Sequence, residues 1–254
     1  MDSAAFLTKM RAMPIKESHP MQIDRRTALT ATLTAAAASA IPAAAQTASA
    51  PPAPSGPVFA PAPAPLPFDP ATIPGLSAKL LTSHHDNNYV SAVKRIGAIK
   101  GELAKLDMAT APGFMLNGLK REELLAWNSM ILHEIYFSCL GTGGKPGAKL
   151  GAAIERDFGS FSRWAAEFSA MGKALGGGSG WVLLQWSPHD GRLTNQWAND
   201  HTQTLAGGTP ILAMDMYEHA YAMDYGAKAA AYVDAFMAAA TWTAADARFA
   251  KVMG

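Results

Sequence analysis

The sequence predicts an α+β fold, in which a long antiparallel helical hairpin is followed by a C-terminal α/β domain with a three-stranded antiparallel sheet. Two observations carry this prediction. Apolar residues recur at helical spacing over residues 78–106 and again over residues 122–140, and two long helices joined by a loop form an antiparallel pair. Further along the chain, three short apolar stretches are separated by turn residues, which is typical of antiparallel strands.

Composition limits the function classes. The chain has 254 residues, 49% of them apolar, and a formal net charge of +1, so it can bury one good-sized core or two small ones. A charge this close to zero gives no reason to expect binding to nucleic acid. Cys139 is the only cysteine, which excludes an intrachain disulfide and predicts a buried thiol.

The N-terminal residues are predicted to direct export. Within residues 1–45, Arg25 and Arg26 precede an Ala-rich apolar run that ends in three alanines, which is typical of a twin-arginine signal. The run is too short and too weakly apolar for a transmembrane helix, which needs about 20 residues. We therefore expect a periplasmic or secreted protein without stable membrane association after signal removal. An uncleaved helical anchor is the alternative. Residues 46–65 are rich in Pro and Ala and predict a semi-rigid extended linker.

The hairpin domain is predicted to cover residues 66–145. Ser77 is a suitable N-cap for a first long helix over residues 78–106, with a possible break near Asp86-Asn87. The second helix is predicted from Glu122 to Leu140, after a loop that contains Gly and Pro.

The C-terminal α/β domain is predicted to cover residues 146–242. Two short helices come first, the second capped by Ser160, and a last helix runs through Phe236. The sheet has its first two strands joined by the Asp190-Gly191 turn. The predicted elements are helices at 150–158 and 160–172 and strands at 181–186, 192–198 and 211–214. Residues 243–254 form a tail for which the sequence predicts nothing.

Asp215 and His219 form the most informative pair in the sequence. They lie four residues apart, where a predicted buried strand gives way to a predicted helix. A carboxylate oxygen and an imidazole nitrogen together suit iron, manganese or zinc. Taken alone, such a pair is more often an Asp that caps a helix and a His that packs behind it than a metal site.

A longer stretch supplies the context. Residues 215–225, DMYEHAYAMDY, resemble the DxWEHAYYxxY signature of the iron/manganese superoxide dismutases, and residues 176–181 resemble the FGSGWxWL segment of the same family. The resemblance covers about residues 66–240. It implies one iron or manganese ion per subunit, bound in part by Asp215 and His219. It also implies that the substrate is the superoxide anion, which is converted to oxygen and hydrogen peroxide.

The same resemblance implies two further ligands. The segment around His133 is similar to the WNHxFYW segment that carries the family's second ligand, although a His on an apolar helix face can also be a core residue. Residues 77–85 match the family's first helix without a gap, which implies His84 as the first ligand. His85, four residues before Tyr89, is the alternative.

Two more residues are implied to act in catalysis. Tyr89 matches the family's Tyr that hydrogen-bonds in the substrate funnel, and this match leaves the chain about three residues short between His84 and Tyr89. His201 lies where some members carry an outer-sphere His bonded to the metal's solvent ligand, a contact that tunes the redox potential. A surface-loop histidine is the alternative for His201.

The resemblance also implies a homodimer, because Glu218 and Tyr221 match the family's interface positions. Three aromatic positions around the family's site differ in this chain, namely Phe137, Leu183 and Tyr217. Lys120 and Arg121 are candidates for a cationic field that attracts superoxide.

Two other functions stay open on the sequence alone. One is a catalytically weak or metal-free protein of the same fold with a binding or assembly role. The other is a non-haem iron oxygenase-like site of two His and one carboxylate. The sequence does not choose between iron and manganese.

Overall fold

A computed structural model describes Gly56 and residues 59–254. The predicted export signal and most of the predicted linker lie outside these residues. Within them, no helix combines the length and the apolar character needed to cross a membrane. The helices and strands confirm the predicted α+β class, with a helical hairpin followed by a three-stranded antiparallel sheet and further helices.

The first arm of the hairpin is one helical run of three parts. Helix α1 (Ala78–Ser83) continues into a π-helical turn (His84–Tyr89) and then into α2 (Val90–Lys105). Ser77 caps α1 as predicted, because its Oγ accepts a hydrogen bond of 3.0 Å from the Leu80 N–H. A break was expected near Asp86-Asn87. The structure instead has a widened π-helical turn there, with one extra residue, and the helix is not interrupted.

The second arm, α3 (Gly113–Ser138), is longer than predicted. It begins nine residues before Glu122 and includes Asn117 and Gly118, which indicate a turn by local preference. A helical Gly costs only about 1 kcal/mol relative to Ala, so packing can override it. Pro112 stands at the N-cap, where the absence of a backbone N–H does no harm.

The two arms pack through an apolar stripe on α2, whose buried members recur at helical spacing and are Val93, Ile96, Ile99 and Leu103. Glu123 of α3 is buried beside them. Its carboxylate binds the ammonium groups of Lys100, at 2.6 Å, and of Lys120. A buried carboxylate needs such partners, since burial disfavours its charge.

The sheet has the order β2-β1-β3 and is antiparallel throughout. Strands β1 (Trp181–Ser187) and β2 (Arg192–Ala198) form the predicted hairpin, and β3 (Thr209–Asp215) pairs with the other edge of β1. Trp181 lies opposite Asp215 in the register of β1 and β3. The start of the buried central strand is thereby next to the end of β3.

Six further helical segments follow the hairpin along the chain. Ser160 caps α5 as predicted, by accepting a hydrogen bond of 3.1 Å from the Arg163 N–H. The segments are α4 (Ala148–Phe158), α5 (Phe161–Ala174), a 3-10 turn (Glu218–Ala220), α6 (Ala222–Tyr225), α7 (Ala229–Ala239) and α8 (Thr243–Val252). Helix α8 occupies the tail for which no structure was predicted, and the Arg248 Nε donates to the Ile211 carbonyl of β3 at 3.0 Å.

The end of the Pro/Ala-rich stretch lies against the hairpin. We call residues 59–67 the strap. The Phe59 ring stacks on Trp127 with centroids 5.3 Å apart. The Ala64 N–H donates to the Tyr89 hydroxyl at 2.9 Å, and the Ala64 carbonyl lies 2.9 Å from His85 Nε2. This part of the predicted linker is thus bound to the domain.

Candidate metal centre

Four side chains from distant parts of the chain meet at one point. They are His84 at the start of the π-helical turn, His133 on α3, Asp215 at the end of β3 and His219 in the 3-10 turn, and one ligand atom from each lies within 4.8 Å of the others. The Asp215 Oδ2 is 3.1 Å from His84 Nε2, 3.5 Å from His133 Nε2 and 3.3 Å from His219 Nε2. The structure therefore brings together all four residues predicted as ligands.

The backbone holds the Asp215 carboxylate in place. Its Oδ1 accepts a hydrogen bond of 2.8 Å from the Tyr217 N–H, which leaves Oδ2 to face the imidazoles. The Asp215 carbonyl accepts a hydrogen bond of 2.7 Å from the Tyr232 hydroxyl. Asp215, His84 and His133 are buried, whereas the His219 side chain is 27% exposed.

The tautomer of His133 tests whether a cation fits this cluster. Its Nδ1 is 2.6 Å from the Ser129 carbonyl, which can only accept, so Nδ1 carries the proton and Nε2 presents a bare lone pair. That lone pair faces the Asp215 carboxylate, and Nε2 has no hydrogen-bond partner within the described part of the chain. Two buried acceptors facing each other are unfavourable unless a cation lies between them. Metal bonds of about 2.1 Å to nitrogen and oxygen place neighbouring ligand atoms about 3 to 3.5 Å apart. The three distances from Asp215 Oδ2 to the imidazole nitrogens lie in this range.

The protonation states also suit a metal. Burial lowers the pKa of His84, and burial together with the nearby His84 lowers the pKa of His133 to about 3. Burial alone would raise the pKa of Asp215, but the imidazoles of His219 and His84 outweigh it and hold this pKa well below its usual range. The cluster therefore presents neutral His133 and His84 rings and an ionised carboxylate, the forms that bind metal ions.

His201 lies beside the cluster with a defined tautomer. The indole Nε1 of Trp181 can only donate, and it lies 3.0 Å from His201 Nδ1, so the His201 proton is on Nε2. Burial lowers the pKa of His201, which keeps the ring neutral. Tyr217 stacks between His201 and His219, with centroid distances of 4.7 and 5.3 Å. The residue that replaces the family's Trp thus packs against both histidines.

A cavity of about 230 Å³ leads to the cluster. His201 lines this cavity together with two of the four ligand candidates, His133 and His219. Its outer-sphere role stays a prediction. The remaining lining residues come from the first arm of the hairpin and from α3, and are Asn87, Asn88, Ser91, Ala92, Arg95, Leu125, Ala126 and Ser129. A cavity of this volume can admit a small anion.

Tyr89 is not among the residues that line this cavity, contrary to the expectation from the resemblance. Its ring is buried, and its hydroxyl accepts from the Ala64 N–H and donates to Glu134 Oε1 at 3.0 Å. The reason is helical register. The helical run continues from His84 without a gap, so Asn88 and Ala92 face the cavity. Tyr89 follows Asn88 by one residue and therefore points about 100° away from it around the helix axis.

Two other predicted residues lie outside the cluster. His85 Nδ1 is 2.7 Å from Asp86 Oδ1 and its Nε2 contacts the strap, so the alternative first ligand points away from the other three. Tyr221 was expected at a dimer interface, but it is only 1% exposed, and its hydroxyl accepts from the Gly177 N–H at 3.2 Å. Its side chain contacts residues of its own chain, which leaves almost none of its surface available to a second copy.

Comparison with known proteins agrees with this centre. The model of the C-terminal domain of iron/manganese superoxide dismutases matches residues 146–248. A protein of Cupriavidus metallidurans named as an iron superoxide dismutase is 69% identical over 185 residues, which are 73% of this chain and 94% of that protein. The chain belongs to the iron/manganese superoxide dismutase family. As a superoxide dismutase, it acts on the superoxide anion and uses iron or manganese.

More distant superoxide dismutases of both metal types also match. A manganese superoxide dismutase of Halobacterium salinarum is 33% identical over 188 residues, which are 72% of this chain and 92% of that protein. An iron superoxide dismutase of Aquifex aeolicus is 32% identical over 192 residues, which are 72% and 89% of the two chains.

Sequence reasoning missed most of the cavity wall of this superoxide dismutase. Asn88, Ala92 and Arg95 follow His84 by four, eight and eleven residues, which are helical intervals. Counting these intervals forward from His84, without inserting a gap to match Tyr89, would have found them. The hydrogen bond between Trp181 and His201 had no signal in the sequence, since it depends on how a loop folds back over β1.

Proposed function

We propose that this superoxide dismutase binds one iron ion through His84, His133, Asp215 and His219. The observation that carries the assignment is the convergence of three imidazole Nε2 atoms on one carboxylate oxygen in a buried site. Iron is preferred over manganese because the relative with 69% identity is named as an iron enzyme.

The ligands set the charge of the site. Three neutral imidazoles and one carboxylate give a single negative charge, which makes both the divalent and the trivalent ion tolerable. The chemistry that a bound iron ion supplies is one-electron exchange, by which two superoxide anions and two protons give one oxygen and one hydrogen peroxide. His133 is oriented for binding by its hydrogen bond to the Ser129 carbonyl.

His201 supplies a proton donor among the residues that line the cavity. Its proton is on Nε2, because Trp181 occupies Nδ1. A donor fixed there can hydrogen-bond to a solvent molecule or to reduced substrate at the centre, and so help to deliver the protons that the reaction consumes. Trp181 is then a positioning residue, since it acts through His201.

Metal analysis beside activity tests this function. The protein is produced with iron or with manganese as the only added metal, the metal per chain is measured by mass spectrometry, and superoxide dismutation is measured on the same samples. We expect about one iron per chain and activity proportional to iron content. A folded chain without stoichiometric metal would favour the catalytically weak alternative. The oxygenase-like alternative needs only two histidines, and the convergence of three counts against it.

We further propose a homodimer in which Glu218 of one chain contacts His219 of the other. Glu218 is exposed, and His219 is partly exposed with Asp215 as its hydrogen-bond partner in the described part of the chain. Tyr221 is left out of this interface because it is buried. Sedimentation of the wild type and of Glu218→Ala tests the proposal, which predicts a dimer that the substitution weakens. A monomeric wild type would contradict it.

We also propose export through the twin-arginine pathway. The support is the motif around Arg25 and Arg26, followed by the apolar run and the small residues near position 45. Cell fractionation of the full chain tests this proposal, with a double Arg25→Lys, Arg26→Lys variant as the control. We expect the wild type outside the cytoplasm and the variant inside it. Equal distribution of the two proteins would contradict the proposal.

A further inference from the structure

Resting on the metal centre proposed above, we infer that Arg95 attracts the superoxide anion to the mouth of the cavity and that Glu122 limits this attraction. Arg95 is a specificity-determining residue for small monoanions in this role. It is not a ligand and does not contact the four ligands.

The position of Arg95 follows from the helix that carries it. Asn88, Ser91, Ala92 and Arg95 line the same cavity and lie at intervals of three, four and seven residues, so they form one stripe on one helix face. His84 begins the same helical run at the metal centre. At a rise of about 1.5 Å per residue, Arg95 stands roughly 16 Å further along the helix. The stripe therefore leads from the ligands to an outer cationic end.

The charges at this outer end leave a positive excess. Among the described residues that line the cavity, Arg95 is the one Lys or Arg side chain. Its side chain is 60% exposed and its guanidinium pairs with Glu122, to which Arg121 also donates at 3.2 Å. Two guanidinium groups thus share one carboxylate. The cluster of Arg95, Arg121 and Glu122 carries a net charge of +1 from its side chains.

Lys120 and Arg121, the cations that the sequence analysis named as candidates for attracting superoxide, lie outside the cavity. Lys120 pairs with the buried Glu123, and neither Lys120 nor Arg121 lines the cavity. Arg121 contributes only through its contact with Glu122. Arg95 is therefore the cation that an anion entering this cavity meets directly.

The distance decides what Arg95 can do. Salt screens charges beyond about 8 Å at physiological ionic strength, so Arg95 acts on an anion at the mouth and has little effect on the metal. A guanidinium is weakly hydrated and offers several donors, which suits brief contact with a small oxyanion. Since whole-protein fields raise association rates by about 10 to 1,000-fold, a single rim charge should contribute roughly two- to fourfold.

The test uses the iron-loaded full chain and two measurements. The rate constant for superoxide and the association rate constant of azide, a small anion, are measured from low to high salt, the latter by stopped-flow absorbance of the resting enzyme. Arg95→Gln should lower the low-salt rate for superoxide roughly two- to fourfold, flatten its salt dependence and slow azide association. Glu122→Gln should change all three quantities in the opposite direction. Lys173→Gln is the matched control, because Lys173 is an exposed cation paired with Asp234 outside this cavity and should change none of them.

Opposite effects of the two variants cannot arise from damage to the fold, which would lower both rates. Arg95→Gln with the salt dependence and azide association rate of the wild type would overturn the inference, as would a decrease in rate for both Arg95→Gln and Glu122→Gln. A wild-type chain that binds neither iron nor azide would instead overturn the metal centre, and the role of Arg95 with it.

Discussion

The indole Nε1 of Trp181 lies 3.0 Å from Nδ1 of His201 and donates its proton there. This contact joins the central strand of the sheet to a histidine that lines the entrance cavity. It decides which His201 nitrogen carries the proton, because an indole has no lone pair to accept a proton in return. Protonated His201 would have to break this contact, since both of its nitrogens would then be donors.

The first prediction concerns His201. His201→Ala should lower the turnover number on the order of a hundredfold, the usual loss when a positioned proton donor is removed. His201→Gln should retain more activity, because its amide also donates. Trp181→Phe should keep His201 but raise its pKa, so that activity is lost at a higher pH on acidification. The pH profiles of the three variants check these results. An unchanged profile for Trp181→Phe would contradict the role assigned to the indole.

The second prediction separates the two adjacent histidines. His84→Ala should remove nearly all bound metal, because His84 Nε2 is one of the three nitrogens beside Asp215 Oδ2. His85→Ala should keep its metal and lose only its contacts to Asp86 and the strap, at a cost of about 1 kcal/mol in unfolding free energy. Metal content and urea denaturation of both variants check this. Loss of metal in His85→Ala alone would show that His85, and not His84, is the first ligand.

The third prediction concerns Tyr89, which lies outside the entrance cavity. Tyr89→Phe removes the hydroxyl that joins Ala64 of the strap to Glu134 of α3. Two lost hydrogen bonds should lower the free energy of unfolding by about 1 to 2 kcal/mol. Activity at saturating metal should stay within about twofold of the wild type. Assays of activity and thermal unfolding on the same samples check this. A tenfold loss of activity at unchanged stability would show that Tyr89 takes part in the reaction.

The fourth prediction concerns acid stability without metal. Burial lowers the pKa of His133 from 6.5 to about 3 in the folded chain. Between these values the unfolded chain binds a proton that the folded chain does not, so the unfolding free energy falls as the pH drops below 6.5. Lowering the pH to 5 should cost about 2 kcal/mol from this residue, and the loss is complete near pH 3.

Urea denaturation of metal-free protein at pH 7.5 and pH 5 measures this loss. The metal-free His133→Gln variant is the control and should lose less stability on acidification, because it lacks the group that takes up the proton. Equal acid sensitivity of wild type and variant would show that other groups are responsible. Burial also lowers the pKa values of His84 and His201, which add to the loss with the same sign.

The ligands could be predicted because they lie in recognisable local sequence patterns. Asp215 and His219 lie four residues apart after an apolar strand, and His133 lies on an apolar helix face, so local patterns and the family resemblance agree. The caps at Ser77 and Ser160 were predicted for a similar reason, since N-cap preferences act over three residues. The three strands were found because short apolar stretches and the Asp190-Gly191 turn are local signals.

The wrong predictions arose where two local signals disagreed and the prediction relied on the misleading one. Matching Tyr89 by residue type required a gap, whereas the helix keeps its register from His84 and directs Asn88 and Ala92 to the cavity. The start of α3 was placed too late because Asn117 and Gly118 favour turns, and tertiary packing overrides that preference. The bound strap could not be predicted, since polyproline-rich sequence carries no signal for the surface it contacts.

The extra residue in the turn His84–Tyr89 has an evolutionary consequence. A widened turn holds one residue more than a regular α-helical turn, so deleting one residue between His84 and Tyr89 would convert it to a regular turn and leave α2 facing the metal centre as before. The helical run can therefore change its length by one residue at this place without a substitution in any ligand and without reorienting the entrance wall.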